Sequence, residues 1–495
     1  MPITLKQGTA KAKINGEYVD LPFMQGVSLP GYNPVAKTAA MTSPVGKDLN
    51  GQLWTSVASD AQVAAACSDW LEDNVQSGTA LTLDSTLLVA GSAADAKAAG
   101  DMLRGFQTQV NTVQKEIDVL KGFHDENITW KQFQDVVDSG TTPEWFALGD
   151  QLIEPWKKTA SSTPLDAPWD IAHFYANGNV ALHWHYAFPD GMPFDAPEAI
   201  YYAGENGLSA GQYYITIGRN YGSGWVAGHH INFTLTDDLD AGDQLVLSTA
   251  TDNKKDPTAN MAWNVYAKGS TTSKQNGTTS DSTDGTELGS TATQGEGYTN
   301  GNINAVQRIV YGYGRYKQSA IRQYLNSIAD AGEWWEPQNP WDRPPSQAAS
   351  VRGWAAGFSQ EFLSVVKPIE IVTAINTVEG SADVTETCAD KFFLPSMTQM
   401  CFSEQYAEDE VWQLYRNLAT EMGLASDARI SGTHTELIRY NLEAQSSAVS
   451  VWLRSAYRGS AYIAWHVGTT GAVSNYYHAY YAYRGCPACI IQKST

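Results

Sequence analysis

Few residue groups in this chain have the types and spacing that chemistry needs. Cys486-Pro-Ala-Cys489 is a CxxC pair, the pattern of a dithiol redox site or half of a zinc site. A redox pair belongs at a helix N-terminus in a βαβ setting. This one lies near the chain end in a strand-rich region, with no second CxxC, so its setting favours a structural role. His183 and His185 alternate on a strand, with His173, His229 and His230 in the same region. Three imidazoles could hold zinc, but no acidic or Cys ligand stands at a fixed spacing, and a polar strand face explains the pair equally. Asp195, Glu198 and Glu205 sit among aromatics, where a facing carboxylate pair would suit glycoside hydrolysis. Asp237-Asp238-Leu-Asp240 and Asp281-Ser-Thr-Asp284 read as turns rather than complete calcium loops. There is no phosphate-cradling glycine loop and no HExxH. No catalytic residue, metal or cofactor is expected.

The chemistry that stands out is recognition. Tyrosines occupy positions 457, 462, 476, 477, 480, 481 and 483, interleaved with Ser, Asn, His, Ala and Gly. Tyr offers a large rigid face with a polar tip at low entropy cost, and small neighbours adapt around it. Adjacent rings such as Tyr480 and Tyr481 point to opposite sides of a strand, so they cannot all be core. The expected surface is Tyr457, Arg458, Tyr462, His466, Asn475, Tyr476, His478, Tyr480 and Tyr481, in two segments joined by a Gly468-Thr-Thr-Gly471 turn. From Arg454 to Ile491 there is no Lys, Glu, Gln, Asp or Met. Hydrogen bonding and stacking should therefore dominate contacts there. That alphabet also fits adenine-directed mutagenesis of Asn codons ending in a pyrimidine, with Trp465 as a fixed position. Trp452 and Arg454 are expected to be scaffold, one buried and the other paired.

These residues need elements to position them. A chain of 495 residues suggests several domains. Residues 1–60 read as a small docking module, with a hairpin at Lys11–Leu21 around Asn15-Gly16. Residues 61–122 read as helix. Ala99, Leu103, Phe106, Val110, Val113, Ile117 and Leu120 repeat at heptad a/d spacing, a coiled-coil seam most simply trimeric. Residues 123–165 hold a short helix around Trp130, Phe133, Val136 and Val137, then a linker. Residues 166–300 show short alternating runs between turns, the pattern of a β-sandwich. Residues 301–495 begin with helices around Ile321–Ile328 and Trp354–Val366 and continue as a loop-heavy sheet. The expected class is α+β multidomain.

The net charge of −21, without a basic patch, argues against nucleic acid and anionic membranes. No apolar run approaches the ~18 residues of a membrane span, and the N-terminus shows no secretory signal. Five Cys make no disulfide framework. The chain is expected to be made in a reducing cytoplasm.

The last domain carries an ordered set of motifs: Arg315 through Leu325-Asn-Ser, Trp334-Trp335, Trp341-Asp-Arg-Pro-Pro345, Gly357-Phe358, Asp390-Lys-Phe-Phe-Leu-Pro-Ser396, Trp452-Leu-Arg-Ser455 and Pro487-Ala488. Together these resemble a domain of unknown function common in prophages of gut anaerobes. Such domains look like C-type-lectin-like folds, the class that carries the variable proteins of diversity-generating retroelements. Phe194-Asp-Ala-Pro-Glu-Ala199 with Ala210-Gly-Gln-Tyr-Tyr214 looks like what precedes this domain in phage virion proteins. The resemblance implies a C-terminal C-type-lectin-like ligand-display domain on a phage tail fibre or head-decoration protein located in the virion. It implies a host-surface or environmental protein or glycan as ligand, and other virion proteins as partners of the N-terminal part. It also leaves open an enzyme on a formylglycine-generating-enzyme-like fold, and a purely structural fibre or decoration protein.

Overall fold

Strand outweighs helix, 32% to 17%, so sheets set the architecture. The computed structural model describes residues 128–218, 220, 225–248, 256–291, 308–375, 385–402, 407–423, 433–474 and 477–494, with 9–14, 17–22 and 304–307 as backbone alone. The heptad seam at 99–120, Cys67, Asn475, Tyr476 and most of the docking module lie outside the described residues. Of that module, β1 (Thr9–Ile14) and β2 (Glu17–Pro22) pair antiparallel from Thr9↔Pro22 to Ile14↔Glu17, the hairpin that Asn-Gly signals.

Two units divide the chain, one formed by 1–153, 174–180 and 491–495, the other by 154–173 and 181–490. In the first, the helix Trp130–Ser139 starts on a reciprocal capping box between Thr129 and Gln132 and ends on left-handed Gly140. Trp130, Phe133, Val136 and Val137 are its buried stripe, and Phe133 packs edge-on against Phe146.

The other sheets lie largely in the second unit. β3 (Gln151–Trp156), β4 (Leu165–Phe174), β5 (Val180–Trp184) and β21 (Ala488–Ile491) form one sheet in the order β21-β5-β4-β3. The Trp184 amide donates to the Pro487 carbonyl at 2.8 Å. The Trp169 and Trp184 rings pack with Trp354, and Trp169 also meets Phe362 and Phe392. This sheet thus joins strands from before residue 185 to the last strand of the chain. β4 and β5 do not belong with the strands that follow them, because their nearly all-inward faces build the core of the C-terminal region.

Residues 201–290 make two sheets, β11-β10-β9-β6 and β12-β7-β8, from β6 (Tyr201–Tyr202), β7 (Gly211–Thr216), β8 (His230–Leu235), β9 (Gln244–Leu247), β10 (Ala262–Tyr266), β11 (Ser273–Thr278) and β12 (Thr286–Ser290). Their apolar side chains, among them Ile215, Phe233, Leu245, Trp263 and Val265, share one core with Ile309 of the helix Asn304–Tyr311. At about 25 cal/mol per Å² of apolar area, such burial is what holds short strands together.

Next along the chain, β13 (Ile369–Ala374) and β14 (Thr385–Asp390) pair antiparallel, as do the short β15 (Arg439–Tyr440) and β16 (Ala448–Val449). The last sheet has the order β19-β18-β17-β20, from β17 (Val451–Ala456), β18 (Ala464–Val467), β19 (Val473–Ser474) and β20 (Arg484–Gly485). Every residue of β17 is buried.

Candidate functional site

The scaffold beneath the tyrosine segment is β17. Trp452 is completely buried; its indole N–H donates to the Met192 carbonyl at 3.3 Å and its ring meets Phe194 edge-on. Arg454 is also fully buried. Its guanidinium donates to the Val372 and Leu394 carbonyls at 3.0 Å and to the Asp409 carboxylate at 2.6 Å. A buried guanidinium tolerates removal from water only with its donors matched in this way. Both residues are scaffold, as their sequence setting suggested.

Next comes the turn. The Gly468 amide donates to the Ala472 carbonyl at 2.8 Å, and Gly471 takes φ +79°, a left-handed conformation where a Cβ would collide with the His434 carbonyl. This turn returns β18 antiparallel onto β19, with His466 opposite Ser474.

Beyond the turn, backbone hydrogen bonds fasten residues 478–483 onto neighbouring segments. The Ala479 amide donates to the Tyr462 carbonyl at 2.9 Å, Tyr480 to Tyr311 at 3.0 Å, Asp195 to Ala479 at 3.0 Å and Met192 to Tyr483 at 2.6 Å. These bonds hold the rings in a continuous array. Tyr311 contacts Tyr462 at 5.0 Å and His478 at 4.0 Å between ring centroids. His478 leads to Tyr480 and Tyr481, which stack at 4.6 Å and 22°. Tyr481 meets Tyr477 edge-on at 5.3 Å, and Tyr477 meets Tyr483 at 5.2 Å. Such offset and edge-on pairs suit the ring quadrupoles. Tyr477 is the outermost, 39% exposed.

Of the expected surface residues, Tyr462, His478, Tyr480 and Tyr481 come together in this array, each half-buried. Tyr457 and Arg458 are also half-buried, in the link from β17 to β18, where Tyr457 packs on Trp465 at 5.4 Å. Asn475 and Tyr476 lie outside the described residues. His466 is a correction. It is 2% exposed, opposite Trp452 in the β17–β18 register, and its ring packs on Trp452 and Tyr483. β18 is buried along its whole length, so no face of it is free for display. Three participants were missed. Tyr477 and Tyr483 belong to the tyrosine run itself. Tyr311 is far upstream, and nothing local marks it.

The array is neutral. Burial pulls both His466 and His478 down to about 4, so neither ring carries charge near neutral pH. Burial and the neighbouring Tyr481 and Tyr311 push the Tyr480 phenol above its ordinary range.

The other chemical candidates are built into the fold. Burial pushes the Cys486 thiol up to about 12 and the Cys489 thiol well above its ordinary value, which disfavours the thiolate a nucleophile needs. His183 contacts the Tyr415 hydroxyl and the Cys486 carbonyl, whereas His185 faces Asp170 at 2.9 Å. His229 and His230 face Asp281 instead. Among the described residues no three potential ligands converge as a metal site would require. Asp195 is 1% and Glu198 2% exposed, Glu198 is paired with Arg308, and Glu205 is out in solvent. These three carboxylates therefore do not flank a common cleft. Asp240 and Asp243 both take Lys274 at 2.8 Å, and Asp238 accepts from the Ala210 amide.

No curated protein matches the chain, and no solved structure does. Residues 297–493, which carry every ring of the array, are similar to a family described as a domain of unknown function (DUF6273).

Proposed function

We propose that this chain is a phage virion-associated binding protein that presents the Tyr462–His478–Tyr480–Tyr481–Tyr477 surface to a host-surface or environmental protein or glycan. The observation that carries the binding reading is the array itself: neutral rings in continuous contact, pinned by main-chain hydrogen bonds and ending on exposed Tyr477. Pre-ordered aromatic faces lose little entropy on binding, and an exposed cluster of them is costly unless used. The phage setting rests on the motif resemblance alone, as do the C-type-lectin-like fold, the partnership of the N-terminal part with other virion proteins and variation at the exposed positions. The trimer rests on the heptad seam. The enzyme alternative is disfavoured by the burial of Cys486 and Cys489, the sulfurs it would use.

The test compares the full chain with a Tyr477→Ala/Tyr481→Ala variant on arrays of bacterial surface glycans and proteins. Loss of the wild-type signal in a folded variant is expected, and equal binding by both would overturn the reading. Sequencing the locus across isolates tests the variable part. Tyr457, Tyr462, His478, Tyr480 and Tyr481 should differ while Trp452, Trp465 and Gly485 stay fixed; a uniform sequence removes hypervariation and leaves a binder of fixed specificity.

A further inference from the structure

Among the described residues of the second unit, four arginines are buried to more than nine-tenths: Arg308, Arg343, Arg439 and Arg454. Three of them face a carboxylate: Arg308 faces Glu198, Arg439 faces Asp170 at 3.9 Å and Arg454 faces Asp409 at 2.6 Å. Arg343 does not. Among the described residues its guanidinium has one hydrogen-bond partner, the Gln244 side-chain carbonyl at 3.2 Å, and lies 3.9 Å from the centre of the Tyr266 ring. Gln244 is itself fixed, donating to the Pro340 and Asp342 carbonyls. Burial pulls Arg343 down to about 10, so it still carries its charge at neutral pH. A buried cation without an anion is costly, and a guanidinium has five N–H donors to satisfy.

Arg343 lines a cleft of about 340 Å³, at the small end of ligand sites. β9 and β10 supply one wall through Val246, Leu247 and Asn264, and Pro344 to Gln347 form another. Pro193 and Pro197 add apolar surface, and Tyr480 joins the cleft to the ring array. Ser248, Asn264, Ser346 and Gln347 distribute polar atoms around it. A planar cation behind proline and tyrosine faces, with hydroxyls and amides at the sides, matches a planar anion on a ring that has one apolar face and several hydroxyls.

We infer that this cleft binds an acidic sugar, its carboxylate taken by Arg343 and its hydroxyls by the Ser, Asn and Gln side chains. The cleft adjoins the proposed tyrosine surface and shares Tyr480 with it, but its charge recognition rests on Arg343 and not on the array. The arginine sets the charge of the ligand, and the shape and hydroxyl partners set its class.

The test titrates the full chain with D-glucuronate, D-glucose and inorganic sulfate, read by saturation-transfer NMR and by thermal shift. Saturable glucuronate binding is expected, with glucose weaker by at least about tenfold, since a hydrogen bond to a charged group contributes ~1.5–3 kcal/mol. Arg343→Gln should lose glucuronate by the same factor. Because Arg343 is in the interior, Ser346→Trp, at an exposed edge of the cleft, serves as an independent block that leaves the core untouched. It should abolish glucuronate binding without lowering the melting temperature. Tyr477→Ala, whose ring meets Tyr481 and Tyr483 but does not line the cleft, should leave glucuronate binding intact, separating this site from the exposed end of the ring array. No saturable glucuronate binding, or unchanged binding in Ser346→Trp, would overturn the inference. Sulfate binding as tight as glucuronate would overturn the sugar and leave a site that reads charge alone.

Discussion

Replacing Trp452 by Ala tests whether the ring array rests on a rigid base. The indole is wholly buried and sits between Phe194, His466 and Tyr483, at 5.7, 6.0 and 5.0 Å between centroids. Truncation removes those contacts and the bond to the Met192 carbonyl, leaving a cavity that a fully inward strand cannot collapse to fill. Large aromatic truncations of this kind cost ~3–5 kcal/mol. With a urea dependence of about 3 kcal/mol per molar, the unfolding midpoint should fall by about 1–2 M. Tyr481→Ala is the control. Its ring is half-buried and stacks on Tyr480, so its removal should cost ~1 kcal/mol or less. The assay is equilibrium urea unfolding of the full chain followed by far-UV circular dichroism, with the near-UV tyrosine signal recorded alongside. Trp452→Ala should lower the midpoint and flatten the near-UV signal, because His466 and Tyr483 lose their support. A midpoint within about 0.3 M of wild type would refute the division into scaffold and display positions.

Two further outcomes are expected. His478 should remain neutral down to about pH 4. Its folded value lies below the ordinary ~6.5 of the unfolded chain, so its contribution to stability is present above pH 6.5 and lost as pH falls from there toward 4. Imidazole resonances followed by two-dimensional NMR check this, and a midpoint at or above 6.5 would contradict a desolvated ring. For the heptad seam, sedimentation of the full chain should give an oligomer that Val113→Asp with Ile117→Asp reduces; a wild-type monomer at micromolar concentration would remove the trimer.

What the sequence showed was governed by how local the physics is. The helix at Trp130–Ser139 was legible because its apolar stripe repeats within two turns and Gly140 ends it. The hairpin at Thr9–Pro22 was legible because Asn-Gly fixes the turn. The burial of Trp452 and the pairing of Arg454 were expected from the resemblance, since a lectin-like sheet needs a large anchor under its loop face, and both residues are buried. His466 was misread because surface prediction relies on strand alternation, and β18 has none: all four residues face inward, between β17 and β19 and whatever covers each side. The pairing of β4 and β5 with β21 was not legible for a related reason. β4 and β5 are buried at nearly every position, Asp170, His173 and His183 included, and nothing in their own residues says against what.

Long-range placement was the part no local pattern could supply. Tyr311 enters the array through a main-chain bond to Tyr480, across a separation that composition and periodicity do not encode. Arg343 illustrates the same limit from the other side. In sequence it belongs to a Trp-Asp-Arg-Pro-Pro corner, which is valuable as a family motif and mute about chemistry. Its neighbours Asp342 and Arg308 are absorbed inward, with the Asp342 carboxyl raised to about 7 chiefly by burial and Arg308 committed to Glu198. That leaves Arg343 as the charge of this corner that meets a cleft, and the distinction between the two arginines exists only once β9, β10 and the Pro344–Gln347 segment are brought around it. Residue types can nominate a buried charge, but only the fold shows which one has no counter-ion among the described residues, and that difference separates a structural arginine from one that can take a ligand.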